Sequence, residues 1–285
     1  MLPVIDTHVH FWKFDPVRDA WIDDNMKVLQ QDYLPPTLQG TLSRNGVDGC
    51  VAVQADQSEV ETLFLKELAI TYPFVKGVVG WVDFKADNIE ERLEYFKQFD
   101  IVKGFRHVVQ SEPDGFLADA NFRRGVAALA AYNYTYDILI YHNQLPQAID
   151  FANAFREQAF VVDHAAKPDI AKNELEQWSK HIRLLAQQPN IHCKLSGLFT
   201  EARWKEWSAA DFYPYLDVLF DAFGTDRLMF GSDWPVILLS GIYVQWKSLL
   251  EKYMEGFSEQ DKAKVFGLNA IKFYNLQGFS FETEA

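Results

Sequence analysis

The sequence predicts an α/β protein: a single, distorted (β/α)8 TIM barrel with a long first βα loop. Eight short apolar runs bounded by turn residues read as strands. They recur at intervals of roughly 30 residues, the length that a strand, a crossover helix and two loops require. Where the intervening segments can be read, they carry helical rather than alternating periodicity. Strands alternating with helices imply parallel pairing, and eight of them suffice to close a barrel. An open doubly wound sheet is the runner-up, but no glycine-rich phosphate loop follows any strand.

The strands are expected at residues 4–11, 49–55, 77–84, 102–109, 136–142, 160–166, 191–198 and 228–236. Between them, residues 58–72 place Val60, Leu63, Phe64 and Leu68 at helical spacing, and residues 88–99 do so with Ile89, Leu93 and Phe96. Segments 122–132, 145–158 and 214–223 follow the same pattern. After the last strand come helices at 243–253 and 262–274, the latter preceded by Ser258-Glu259-Gln260-Asp261, which resembles a capping box. Residues 11–45, with Trp12, Trp21 and Pro35-Pro36, read as a connection long enough to be a lid. No low-complexity segment or Gly/Ser linker divides the chain, so residues 1–285 are expected to form one domain.

Composition narrows the function. Apolar residues make up 48% of the chain and aromatics 15%, which excludes intrinsic disorder. A formal net charge of −13 disfavours phosphate backbones and anionic membranes, so neither nucleic acid nor membrane is an expected partner. Residues 1–6 carry no basic region or long apolar run, and no stretch suits a membrane span. Cys50 and Cys193 both fall in strand-like runs and are expected as buried thiols in a reducing, cytoplasmic setting. Aromatics of the first loop are candidates to pack on a second copy, so a homo-oligomer stays open.

In such a barrel the active site lies at the C-terminal ends of the strands. Reading those ends gives His8 and His10, Gln54, Trp81, Arg106, His142, His164 with Lys167, Ser196, and Asp233 with Trp234. His8 and His10 share strand parity, about 6.6 Å apart along the axis, and barrel closure brings strand eight beside strand one. His8, His10 and Asp233 therefore suit one divalent metal, with zinc the expected ion and a fourth position left for water. His107 is out of phase with Arg106, and only Arg106 is expected to face the pocket. Asp6 shares the parity of His8 but lies deeper, which points to a structural role. Trp12, Trp21, Trp81 and Trp234 lie near the mouth.

Asp6-Thr7-His8-Val9-His10 followed by Phe11-Trp12 resembles the opening of the amidohydrolase superfamily's amidohydrolase-2 branch. Val79–Asp83, Lys103–His107, Val162–Pro168, Lys194–Leu198 and Asp226–Pro235 narrow the resemblance to its sugar-lactonase group, which includes fuconolactonases and rhamnonolactonases. It runs from residue 4 to about residue 276. It implies hydrolysis of an aldonic acid lactone, a small-molecule sugar substrate, with Asp233 activating water and Arg106 and His164 assisting as catalytic groups. Gln54, Trp81, His142, Lys167, Ser196 and Trp234 are the expected substrate contacts. Members differ in metal dependence, some holding one zinc and some working without it, so the resemblance leaves open whether the reaction needs the ion held by His8, His10 and Asp233. No bridging lysine or glutamate marks a second metal. The alternative within the same branch is a zinc-dependent non-oxidative decarboxylase of an unsaturated or aromatic acid. Outside these readings lie a phosphodiester-cleaving metal enzyme and a non-catalytic barrel.

Overall fold

A computed structural model describes residues 2–279. Of the expected 1–285 domain, Met1 and residues 280–285 lie outside the described residues. Eight strands form one parallel sheet in sequential order: β1 (Ile5–Val9), β2 (Gly49–Val53), β3 (Val75–Gly80), β4 (Val102–Val108), β5 (Thr135–Leu139), β6 (Phe160–Val162), β7 (Ile191–Leu195) and β8 (Leu228–Phe230). The sheet closes where Val9 bridges Trp234 in parallel. Asp233 N–H donates to His8 O at 2.9 Å, and His10 N–H donates to Trp234 O at 2.7 Å. The residues expected to carry the chemistry are thus those that seal the barrel.

The helices are α1 (Pro35–Arg44), α2 (Glu59–Thr71), α3 (Ile89–Lys97), α4 (Ala120–Ala128), α5 (Leu145–Asn153), α6 (Glu176–Ala186), α7 (Leu198–Glu201), α8 (Ala209–Phe223), α9 (Tyr243–Tyr253), α10 (Glu259–Ala263) and α11 (Asn269–Phe273). Several differ from expectation for local reasons. Pro35 and Pro36 start α1 rather than mark a loop, because the first turn has no use for their missing N–H. On α2 the buried face is Glu61, Thr62, Leu65, Lys66 and Ala69, leaving Val60 77% exposed. Helix α8 begins at Ala209, where Ser208 and Asp211 form a capping box, and it carries Pro214 inside it. Helix α6 adds an element the sequence reading leaves out, packed through Trp178, Ile182 and Leu185. The expected 262–274 helix begins after Ser258, whose Oγ accepts from Asp261 N–H at 3.1 Å, and includes a π turn over Lys264–Leu268.

Inside the barrel, Ile5, Val51, Val53, Val79, Val161 and Met229 pack with Tyr274 and Leu276 from the C-terminal segment. This apolar plug supports a charged layer built from His8, Arg106, Asp137, Asp163 and Lys194, all buried. The two cysteines are free and buried, and no helix among the described residues is long and apolar enough to cross a membrane.

Candidate active site

A cavity of about 310 Å³ opens at the C-terminal ends of the strands, and His10, Arg106, His164, Lys167 and Asp233 line it. The long first loop contributes Arg18 and Trp21, and the β2–α2 loop contributes Ala55, Asp56 and Gln57. Val108, Leu139 and Val236 supply an apolar part of the wall, the usual mix for a small-molecule pocket.

Asp233 stands at the centre. Its Oδ1 lies 3.4 Å from His10 Nε2 and 3.9 Å from both His8 Nε2 and His164 Nε2. Burial alone would raise its pKa, but it is outweighed by His164, by the hydrogen bond and charge of His10, and by Lys167, so the carboxyl titrates below its usual range. Its backbone is left-handed at φ 60°, uncommon for a residue with a side chain. After the three-residue β6 the chain takes four successive left-handed residues, His164 to Lys167, with φ between 48° and 57°. Each costs of order 1–2 kcal/mol, and such strain is characteristic of sites whose surroundings over-determine them. This turn is why the expected strand 160–166 ends early. It places His164 against Ser196 Oγ, 2.9 Å from Nδ1, and against Gly197. Burial lowers the His164 pKa to about 4, so the ring is neutral at pH 7.

Arg106 is anchored rather than free. Its Nη1 donates to Asp163 Oδ2 at 3.0 Å, and its Nη2 to Gln54 Oε1 at 3.1 Å and to Gln54 O. Gln54 returns a bond from Nε2 to Arg106 O at 3.3 Å. Asp163 is held well below the usual carboxylate range: burial opposes this, but Lys194, His8 and Arg106 prevail. Asp6 has a structural role. Its Oδ1 accepts from His8 N–H at 3.1 Å and Ser232 N–H at 2.9 Å, tying β1 to the end of β8.

The remaining expected substrate contacts divide. Lys167 lines the cavity, and its carbonyl accepts from His142 Nδ1 at 2.9 Å, so His142 braces the left-handed turn. Gln54 and Ser196 stand one layer back, behind Arg106 and His164. Trp81 lies outside the cavity lining: its Nε1 donates to His107 Nδ1 at 3.2 Å, and His107 is held in turn by Glu112 at 2.8 Å. Trp234 is outside the lining too, buried against Phe11 and Tyr33. Of the four mouth tryptophans only Trp21 lines the cavity.

Sequence reasoning missed Lys194. It is fully buried; its Nζ pairs with Asp137, lies 3.0 Å from Asp163 Oδ1, and donates to His8 Nδ1 at 3.2 Å. Tyr274 closes the chain of contacts from below, its OH 2.9 Å from Asp137 Oδ2. Apolar patterning gives no sign of a lysine facing a barrel interior.

His8, His10 and Asp233 fit one divalent ion. The 3.2 Å between the two Nε2 atoms and the 3.4 Å from His10 Nε2 to Asp233 are close to the edges, about 3.3–3.6 Å, of a tetrahedral shell with bonds of about 2.0–2.2 Å, and the third edge, His8 Nε2 to Asp233, is longer at 3.9 Å. His10 Nδ1 donates to Val53 O at 2.7 Å, which leaves Nε2 free to ligate. The competing occupant is Arg106, whose Nη1 lies 3.2 Å from His8 Nε2.

The amidohydrolase family model matches residues 5–276. A protein of Burkholderia multivorans named L-fucono-1,5-lactonase is 39% identical, the match covering 95% of this chain and 96% of that one. Another of that name, from Burkholderia ambifaria, is 34% identical over 95% of both chains. The crystal structure of a Burkholderia multivorans amidohydrolase with bound zinc superposes with a TM-score of 0.93 at 40% identity, covering 96% of this chain and 100% of the other. The chain therefore belongs to the amidohydrolase family, in the sugar-lactonase group of its amidohydrolase-2 branch.

Proposed function

We propose that this protein hydrolyses the ring ester of a sugar lactone, with an L-fucono-1,5-lactone as the first substrate to test, and that Asp233 is the group that moves the proton. The observation that carries this is the buried Asp233 carboxylate, which lines the cavity and faces three imidazoles. The two relatives at 34% and 39% identity, both named as lactonases, support the reaction class; the decarboxylase alternative has no comparable support.

A lactone carbonyl is already electrophilic, so the site must position water, remove its proton, stabilise an oxyanion and protonate the leaving alkoxide. Asp233 takes the water proton and returns it to the ring oxygen, a role worth roughly 10²–10⁴-fold. Ser196 Oγ lies 2.9 Å from His164 Nδ1; in the tautomer where the hydroxyl donates, His164 carries its proton on Nε2 and can donate it to the carbonyl oxygen. Arg106, fixed by Gln54 and Asp163, supplies positive charge beside it, an electrostatic contribution that is often the largest. Lys167 and Arg18 line the rim, where sugar hydroxyls need polar partners. A divalent ion, zinc the first choice, would be held by His8, His10 and Asp233 and would lower the pKa of a bound water to about 7. The free, buried thiols support a reducing, cytoplasmic setting.

The test is acid release from L-fucono-, L-rhamnono- and L-galactonolactones at neutral pH, with spontaneous opening subtracted. Wild-type protein should exceed the blank, and Asp233→Asn should fall by about 10²–10⁴-fold with its fold intact. Near-normal hydrolysis by Asp233→Asn, or a flat panel from folded wild type, would refute the assignment.

A further inference from the structure

We infer that the catalytic cavity continues into a second, chiefly apolar chamber beside the first loop, and that this chamber takes an apolar substituent carried on the lactone ring, so that alkyl-substituted 1,5-lactones belong to the substrate class. The inference rests on the lactonase reading above. The reaction is the same one, water adding across the acyl–oxygen bond of the ring to give the hydroxy acid.

The chamber measures about 190 Å³ and adjoins the catalytic cavity. Arg18 and Asp56 line both, so the partition between them is the thickness of these two side chains. The first loop joins them a second time. Trp21 lines the cavity, Trp12 lines the chamber, and the two rings meet edge to face with centroids 6.1 Å apart. From α2 come Val60 and Phe64, one turn apart, which give the chamber an apolar stripe. Val60 is 77% exposed and off the buried face of α2, and the chamber is the surface it serves.

The polar atoms around the chamber are largely committed to one another. Ser58 Oγ donates to Asp56 Oδ2 at 2.6 Å and accepts from Glu61 N–H at 3.2 Å. Glu61 Oε2 is taken by the backbone N–H groups of Ala55 and Asp56. Arg18 donates to Asp19 through Nε at 2.9 Å and Nη2 at 2.7 Å, and through Nη2 to the Lys13 carbonyl. A second sugar ring would bring a hydroxyl on most of its carbons and find few free partners, and a hydroxyl left unmet out of water is costly. An alkyl group asks for no partner and gains by burial against Trp12, Val60 and Phe64. A volume of about 190 Å³ holds about six water-sized groups, so a chain of about five carbons fits.

The test is initial acid release at neutral pH from 1,5-lactones bearing hydrogen, methyl, propyl, pentyl or heptyl on the ring carbon next to the ring oxygen. Each is corrected for spontaneous opening and run beside L-fucono-1,5-lactone and the 1,5-lactone of a disaccharide acid. Wild-type kcat/KM should rise about 2–4-fold per methylene as far as pentyl and level off at heptyl. Val60→Trp changes an exposed position and sets a large ring across the chamber. It should abolish the rise while turnover of L-fucono-1,5-lactone stays at the wild-type level. A flat or falling series in wild type that still hydrolyses L-fucono-1,5-lactone would overturn the chamber and leave the lactonase reading standing. An undiminished rise in Val60→Trp would do the same, as would a gain for the disaccharide lactone without one for the alkyl series. Absence of turnover on every lactone would overturn the lactonase reading and this inference together. Should Val60→Trp fail to fold, the wild-type series decides.

Discussion

Glu61 offers a sharp test of how the β2–α2 wall of the cavity is held. The side chain is buried in the first turn of α2, and its Oε2 accepts the backbone N–H of Ala55 at 2.9 Å and Asp56 at 2.6 Å, two residues that line the cavity. Burial, with repulsion from Asp56, raises its pKa from an ordinary 4.5 to about 8, against the pull of those hydrogen bonds and of Arg106. A carboxyl raised in the folded state binds a proton that the unfolded chain has released, so stability falls as pH rises from 4.5 to 8. The window above pH 6.5 is diagnostic, because Asp6 and Asp137, raised by burial to about 6, have largely titrated by then. From about pH 6.5 to 8 the loss is about 2 kcal/mol, at roughly 1.36 kcal/mol per pH unit. Glu61→Gln keeps one oxygen to accept both N–H bonds and has no charge to bury. Urea denaturation of both proteins at about pH 6.5 and 8.5 should therefore show the variant gaining about 2 kcal/mol on wild type across that interval. Parallel pH dependence, with the variant weaker by about 1–3 kcal/mol throughout, would mean that the two N–H donors keep Glu61 ionised and would refute the reasoning.

Gly197 is left-handed at φ 66°, and a Cβ there would sit 2.5 Å from His164 Nδ1, so Gly197→Ala should lower kcat/KM by about 10²-fold while circular dichroism stays unchanged. Exhaustive chelation should leave lactone turnover within about twofold of the untreated enzyme; a loss above tenfold restored by zinc would assign the chemistry to a metal instead. Trp246 Nε1 is 3.0 Å from both Leu195 O and Gly231 O, so Trp246→Phe should cost about 1–3 kcal/mol in urea denaturation with kcat little changed.

The meeting of His8, His10 and Asp233 was legible in the sequence because its logic is local. His8 and His10 share a strand, and closure of a sequential barrel puts Asp233 beside them; backbone bonds join His8 to Asp233 and His10 to Trp234. That Arg106 and His107 do not both face the cavity followed from strand alternation. Position near a strand end does not say which wall a large ring packs into, and Trp81 and Trp234 each lie outside the cavity lining against an aromatic or imidazole neighbour. Proline as punctuation hid α1, and apolar counting put the buried face of α2 on the wrong residues, since that face includes Glu61, Thr62 and Lys66.

The charged layer was illegible for a deeper reason. Lys194 and Asp137 come from β7 and β5, Asp163 from the end of β6, and each alone reads as the polar side of a strand. A buried ion cluster costs several kcal/mol per charge to desolvate and offers weak net stability, so folding alone gives no reason to expect one inside an otherwise apolar barrel. The left-handed run from His164 to Lys167 has the same character: no glycine announces it, and two alanines occupy conformations that local preference disfavours. Both features oppose local stability, and both converge on Asp233 and its imidazoles. Their coincidence at one end of the barrel locates the functional centre more firmly than any single motif, because strain and buried charge are retained together only where surrounding structure holds them in place.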